Sequence, residues 1–409
     1  MLRDQLKEHI DPWKIFLDIV EEKFDSAGIR LSKKDRESFK KHLEENRVNQ
    51  FVPENASAEM WKGLTIEIGD DDLKKVSEKQ NLIVEKFPEI TRDILENSSK
   101  DILKSLLKDW KKRREYEYNK FFQFQEKVFD IWGEALDELF MLITMAIEMG
   151  RVAHKKNSRR KKQKLVNGVL IRLHARACQV ALESFFLMLK GFADGAMARW
   201  RTLHEISVIS SFLAKHGEDL AEKYLAHEHI ESYKAALQYQ KYSKFYSRKE
   251  TSKKVLDRLK ETCSSLEKKY GESFCNEYGW ASTTLKNKRP TFSTIEESLH
   301  LDHVRPYYKM ASYNVHANSK GILFRLGLLN ADKILTGPSD LGLADPGQNI
   351  AFSISFITTN LFSLDQTMDM VTYSKVMQIF SRQVEQKFSI VHRRIEKAAK
   401  KRMKSSESK

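Results

Sequence analysis

Two constellations in this chain of 409 residues hold side chains able to move protons or hold an anion. The first is Arg201 with Glu205. Four helical steps leave them about 40° apart around a helix axis, so both share the face that also carries Met197, Val208 and Phe212. A charged pair on an apolar face needs partners, because taking ions out of water costs several kcal/mol each unless they are paired and hydrogen-bonded. Such a pair is either a structural network that fixes how two helices meet, or an arginine that holds an anion beside a carboxylate acid or base. The second constellation runs through Tyr308, Ser312, Asn314, His316 and Lys320 to Gly321. Tyr308, Ser312 and His316 fall at i, i+4 and i+8, so a helix would line them along one stripe, with Gly321 as its C-terminal stop. Histidine donates or accepts a proton near neutrality, and Ser312 could orient it or bind substrate. A Ser-His pair without a third orienting group is a weak nucleophile signal, and a buried histidine satisfied by its neighbours is the structural alternative. The expectation is that Ser312 and His316 face Arg201 and Glu205 across a helix pair. Those four form the candidate catalytic set, with Tyr308, Asn314 and Lys320 as substrate contacts.

Other motifs exclude chemistry. In His227-Glu228-His229 the two histidines are two positions apart and point to different sides of a helix, unlike the helical zinc pattern, so no metal is expected. Cys178, Cys263 and Cys275 are too few and scattered for a disulfide framework or a zinc site, and read as reduced thiols. The glycine-rich stretch 337–347 lacks the lysine and spacing of a phosphate loop. It reads as a connection ending in a helix start, with Asp345 as cap and Pro346 in the first turn before the apolar stretch 350–370. No cofactor is expected.

The elements that position these residues are helices. Only 16 Gly and 7 Pro leave few breakers. Region 1–115 alternates charged helical stretches with breaks at 51–55 and 97–99, and a short extended piece is expected at 65–68 before a cap at Asp70-Asp71. A long helix is expected over 116–149, ending near Gly150. The basic run 154–164 is too dense in like charge to pack in a core, and is either a solvated connection or a phosphate-contacting patch. An amphipathic helix follows over 169–190, Gly191 and Gly195 bracket a connection, and a helix over 196–215 is apolar on both sides and therefore buried. The fold class is all-α: a multi-helix bundle over 116–390 with an N-terminal helical extension, 1–115, and a basic tail, 391–409, that frays after Met403.

Charge points outward. The chain carries 71 Lys+Arg against 57 Asp+Glu, a formal net charge of +14, an excess that attracts polyanions. RNA is a candidate partner and a homodimer a second. The start of the chain lacks the apolar core of a secretory signal, and the longest apolar run, 139–147, is far short of the roughly 20 residues that cross a bilayer. No membrane insertion is expected, and the cytoplasm is the expected compartment.

Several short segments follow one another in a recognisable order: Arg201-Thr-Leu-His-Glu205, Tyr224-x-x-His227, Tyr233-Lys234, Tyr278-Gly279-Trp280-Ala281, Ser312-x-x-x-His316-Ala and Gly342-Leu343-Ala344-Asp345-Pro346-Gly347. In this order they resemble a bacterial helical family known as domain of unknown function 5677, over about 169–371. The resemblance implies a bacterial helical domain and lends no activity. Such proteins are also similar to the HEPN superfamily, which includes RNA-cutting toxins with four to six residues between an arginine and a histidine. Arg199 and His204 have that spacing, but five helical steps set them about 140° apart, and Trp200 stands where that motif has a polar residue. Arg201, Glu205, Ser312 and His316 are therefore the preferred set. The functional expectation is an RNA-directed, metal-independent ribonuclease of HEPN-like type, in which His316 moves the proton and Arg201 stabilises charge on phosphate. The competing expectation is a non-catalytic interaction or regulatory module whose polar residues specify helix packing.

Overall fold

The computed structural model describes residues 12–45, 51–53, 66–157, 162–243, 245, 250–316, 318–328, 333–364 and 367–407. The opening segment 1–11, the far part of the break at 51–55, Thr65 and the centre of the basic run, 158–161, lie outside them. Every regular element among the described residues is helical. The chain divides into two compact units, Met1–Glu117 and Tyr118–Lys409.

In the first unit, α1 (Pro12–Ser26) and α2 (Lys33–Glu44) enclose a small core of Val20, Phe24, Ile29, Phe39 and Phe51. The aromatic edges meet at 6.0 Å for Phe24 and Phe39 and 5.0 Å for Phe39 and Phe51. A capping box starts α2: Asp35 N donates to Ser32 Oγ, and Ser32 N to Asp35 Oδ2 at 2.8 Å, satisfying two end donors reciprocally. Residues 66–69 form no strand, and α3 (Asp70–Asn157) begins behind them. Its cap is supplied by Asp72, whose carboxylate accepts from Gly69 N at 2.9 Å and pairs with Lys23 at 2.5 Å. The hydrogen bond from Lys23 is the chief reason the Asp72 carboxyl sits below its ordinary range.

Two of the expected breaks are absent. Residues 97–99 continue the helix, because one Asn and two Ser lower helix propensity by only tenths of a kcal/mol each and neither Gly nor Pro interrupts them. Gly150 is interior too, with α3 running on to Asn157. A Cβ at Gly150 would stand 2.8 Å from the ring of His174, so this glycine permits close approach of another helix and does not end its own.

The second unit is a bundle. α4 (Lys164–Leu189) packs along α5 (Ala193–Ala226), α12 (Ala344–Phe362) packs on both, and α13 (Met368–Glu407) packs on α12. Its core is continuous with buried α3 residues, among them Trp132, Leu139 and Ile143. Trp132 donates its indole N–H to Asp340 O at 2.8 Å. Between α5 and α12 the chain forms α6 (Glu228–Tyr242), α7 (Lys253–Tyr270), α8 (Ser282–Leu285), α9 (Phe292–Ser298), α10 (Arg305–Val315) and α11 (Ser319–Leu323). α10 lies against α5.

α5 starts earlier and ends later than its periodicity suggests. Gly195 is inside its first turn, and a kink at Gly217, where φ is 77°, joins a further segment to it. Burial on both sides is observed: Met197, Val208, Phe212 and Leu203 are all inaccessible. The apolar stretch 350–370 is split, α12 ending at Phe362 and α13 starting at Met368, and α13 remains helical past Met403.

Candidate functional site

Three consecutive residues of α5 turn to three different neighbours. The guanidinium of Arg199 pairs with Glu183 on α4. The indole of Trp200 is buried and donates to Asn349 O at 3.0 Å and Ser353 Oγ at 2.9 Å on α12. Arg201 turns to α10, where its guanidinium carbon stands 4.8 Å from the centre of the Tyr308 ring. Successive steps of 100° make this divergence unavoidable, and it separates Arg199 from His204.

The Arg201 pair gains its partners from α10. Arg201 Nε is 3.3 Å from Glu205 Oε1, an ion-pair distance without hydrogen-bond alignment, and Tyr308 donates its hydroxyl to that same oxygen at 2.6 Å. The two side chains are 25% and 33% exposed, so the pair sits at the bundle's edge and not in the sealed interior that the apolar face suggested. Burial first, then the bond to Glu205, raises the Tyr308 hydroxyl well above the ordinary phenol range. Tyr278, beside the same carboxylate, is pushed up to about 12, mainly by burial.

Behind this pair lies a cluster built on His204, whose spacing pointed to Arg199 and not to the partners it has. His204 and Glu296 are 1% and 0% exposed, with Nε2 2.7 Å from Oε1. Arg305 Nε donates to the other oxygen, Oε2, at 2.7 Å. Donation by His204 requires its proton on Nε2, which leaves Nδ1 as an unpartnered buried acceptor, the smaller penalty of the two tautomers. Trp200, Phe292 and Tyr308 surround the imidazole at ring distances of 5.4, 5.9 and 5.6 Å. α9 and α10 thus add the carboxylate and the guanidinium that one helix could not supply. In the sequence His204 stood out by its spacing from Arg199 and by lying in a helix apolar all round; its partner Glu296 is 92 residues on, and the Arg305 that completes the cluster through Glu296 lies further still, too remote for spacing to find.

The second constellation is broken up. Ser312 donates to its own helix, to Tyr308 O at 2.8 Å. α10 ends at Val315, and His316 is its C-terminal cap in extended conformation, with ψ at 135° and its side chain exposed. The stripe expected through Tyr308, Ser312 and His316 therefore stops before the imidazole. Gly321 does not end this helix; it lies inside α11, donating to the Asn318 side chain at 2.8 Å. Both amide atoms of the half-buried Asn314 lack a partner. Tyr308 thus joins Arg201 and Glu205, while Ser312 and His316 are held elsewhere.

Lys320 lines a groove of about 570 Å³ formed by α10, α11 and the residues flanking them, together with Arg305, Lys309, Tyr313 and Phe324. Its ammonium stands 4.9 Å from the Tyr313 ring centre. Among the described residues, Asp302 is the one carboxylate on the groove wall.

A larger cavity of about 770 Å³ involves none of the nominated residues; Asp345, Glu385, His303, His392, Arg382 and Arg393 are among its walls. Asp345 was expected to cap α12, but the cap position is Leu343 and no side chain caps it. Asp345 instead turns into the cavity, where burial raises its carboxyl, as it does that of Glu385.

Fold and site together define an all-α protein whose charged side chains are gathered between helices of one bundle and along an open groove beside it. Residues 167–334 match the model of a family of unknown function (DUF5677). That span holds both polar clusters and the groove and stops short of Gly342–Gly347. No curated protein and no solved structure matches the chain. No helix among the described residues is long and apolar enough to cross a membrane.

Proposed function

We propose that this protein is a bacterial, cytoplasmic RNA-binding module that holds a single strand in the α10–α11 groove, and that the Arg201 and His204 clusters set helix packing. The observation that carries the reading is the composition of the groove: Arg305, Lys309 and Lys320 beside Tyr313 and Phe324. Cations that meet phosphates, interleaved with rings that stack bases, are what a strand without fixed sequence requires. Tyr308 and Glu205, by contrast, are hydrogen-bonded to each other, and Arg201 is held beside them by its ion pair with Glu205 and by the Tyr308 ring. Two copies act together, which presents two grooves to one strand.

Fluorescence anisotropy with a labelled single-stranded RNA tests the reading. Lys309→Glu with Lys320→Glu is expected to lower affinity at least about tenfold and flatten its salt dependence; an unchanged affinity would remove the groove from the proposal.

Metal-independent cleavage of HEPN-like type is a second reading, and exposed His316, on the connection between the two groove helices, favours it. In this reading His316→Ala abolishes cleavage of the bound strand in the presence of a chelator and leaves affinity intact. Intact RNA after prolonged incubation with the unaltered protein would end it.

A further inference from the structure

The first unit carries an apolar surface that the RNA reading does not use. Along α3, Leu95, Ile102, Leu103, Leu106, Leu107 and Trp110 are 48%, 48%, 56%, 59%, 58% and 49% exposed. At 100° per residue they fall in one arc of about 140°, so they form a stripe over four turns that is unbroken from Ile102 to Trp110 and shares its arc with Glu96 and Ser99 near Leu95. An exposed apolar stripe of this length marks an interaction site.

We infer that this stripe pairs with the same stripe of a second copy, the two α3 helices running antiparallel. The inference rests on the homodimer reading and supplies its surface. Two independent features select this occupant. The first is shape. A groove of about 700 Å³ runs along the same face, with Thr91, Leu95, Ser99 and Leu103 on its walls and Arg92, Glu96 and Lys100 along its rim. A two-fold axis between Ile102 and Leu103 sets position 95 opposite position 110, and so aims Trp110 of each copy at the small residues around Leu95 in the other. The arrangement is self-complementary, as a two-fold interface must be.

The second feature is charge. Residues 85–101 carry five carboxylates and three cations, whereas residues 104–114 carry six cations and one carboxylate. Antiparallel pairing sets the acidic stretch against the basic one; parallel pairing sets like against like. Glu89 and Arg114 lie on the same flank of the stripe, and the axis chosen by Trp110 brings them within about 3 Å of level along the helices. Register from shape and register from charge therefore agree.

Sedimentation equilibrium on the full chain tests this. The expected mass is twice 47.8 kDa. Leu103→Glu with Leu106→Glu, exposed changes whose retained helicity circular dichroism would verify, is expected to raise the dimer dissociation constant at least about 100-fold. Orientation is read by charge exchange: Glu89→Arg alone weakens pairing, and adding Arg114→Glu restores it, which a parallel pair would not do. An unaltered chain that stays monomeric at 50 µM overturns both this inference and the homodimer reading. A dimer indifferent to the two glutamates overturns the surface alone, and RNA affinity is measured separately from either.

Discussion

The two sides of α10 make different use of the same residue types. Toward α5 and α9, Tyr308 donates to Glu205 and Arg305 to Glu296, and the carboxylate of Glu296 is inaccessible to water. Toward solvent, Lys309, Tyr313 and Lys320 line a groove in which Asp302 is the one carboxylate among the described residues. Arg305 contributes to both. A guanidinium, a phenol and a carboxylate do not make a binding site by being present: where they complete one another's hydrogen bonds they define helix geometry, and where cations are in excess over acceptors they are left for a ligand. The inner side should therefore govern stability and the outer side affinity.

The largest expected effect tests the inner side. Glu296→Ala strips His204 and Arg305 of their shared acceptor, and breaking a buried ionic cluster in this way costs about 3–5 kcal/mol. Urea unfolding should show that loss, larger than the loss from any groove substitution. A variant as stable as the unaltered chain would break the comparison.

A pH titration of stability sharpens it with a histidine that has no ionic partner. His174 is buried against Thr358, its Nε2 3.1 Å from Oγ1, and burial lowers its pKa to about 4. Unfolded imidazole titrates near 6.5. Between those values the unfolded chain binds the proton and the folded chain does not, so stability is fully present above about pH 6.5 and declines as the pH falls toward 4, by on the order of 3 kcal/mol. Other groups titrate in that window, so the measurement is the difference from a His174→Gln variant, whose profile should be flatter.

Next in size is the outer side. Lys309→Ala and Lys320→Ala are each expected to weaken RNA binding by several-fold and to reduce the salt slope by about one, while leaving stability within about 0.5 kcal/mol. Loss of stability in place of affinity would reverse the roles assigned to the two sides. The smallest effect belongs to Tyr308→Phe, which keeps the ring under Arg201 and removes one hydrogen bond to a partly exposed carboxylate. About 1 kcal/mol is expected in the same urea experiment, with no change in RNA affinity.

Much of the architecture was legible in local pattern. Scarce breakers and three- and four-residue apolar steps identified an all-α chain, and a helix apolar on both sides, 196–215, was recognised as buried. The pairing of Arg201 with Glu205 and the need for a further partner followed from helical geometry and the cost of buried charge. Boundaries were less legible: polar residues at 97–99 and a glycine at 150 weaken a helix without ending it, and Gly150 is explained only by the ring of His174 on another helix.

Which side chains complete each cluster was decided by the tertiary fold. Glu296 reaches His204 from an element about ninety residues away and is itself held by Arg305, and Asp345 of α12 and Glu385 of α13 line one cavity. A helix's periodicity records which face it buries, because that depends on residues a turn apart. It does not record what the face is buried against. The stripe from Tyr308 to His316 failed for a related reason: it assumed one more helical turn, and the chain's exit at Val315 turned the imidazole to solvent.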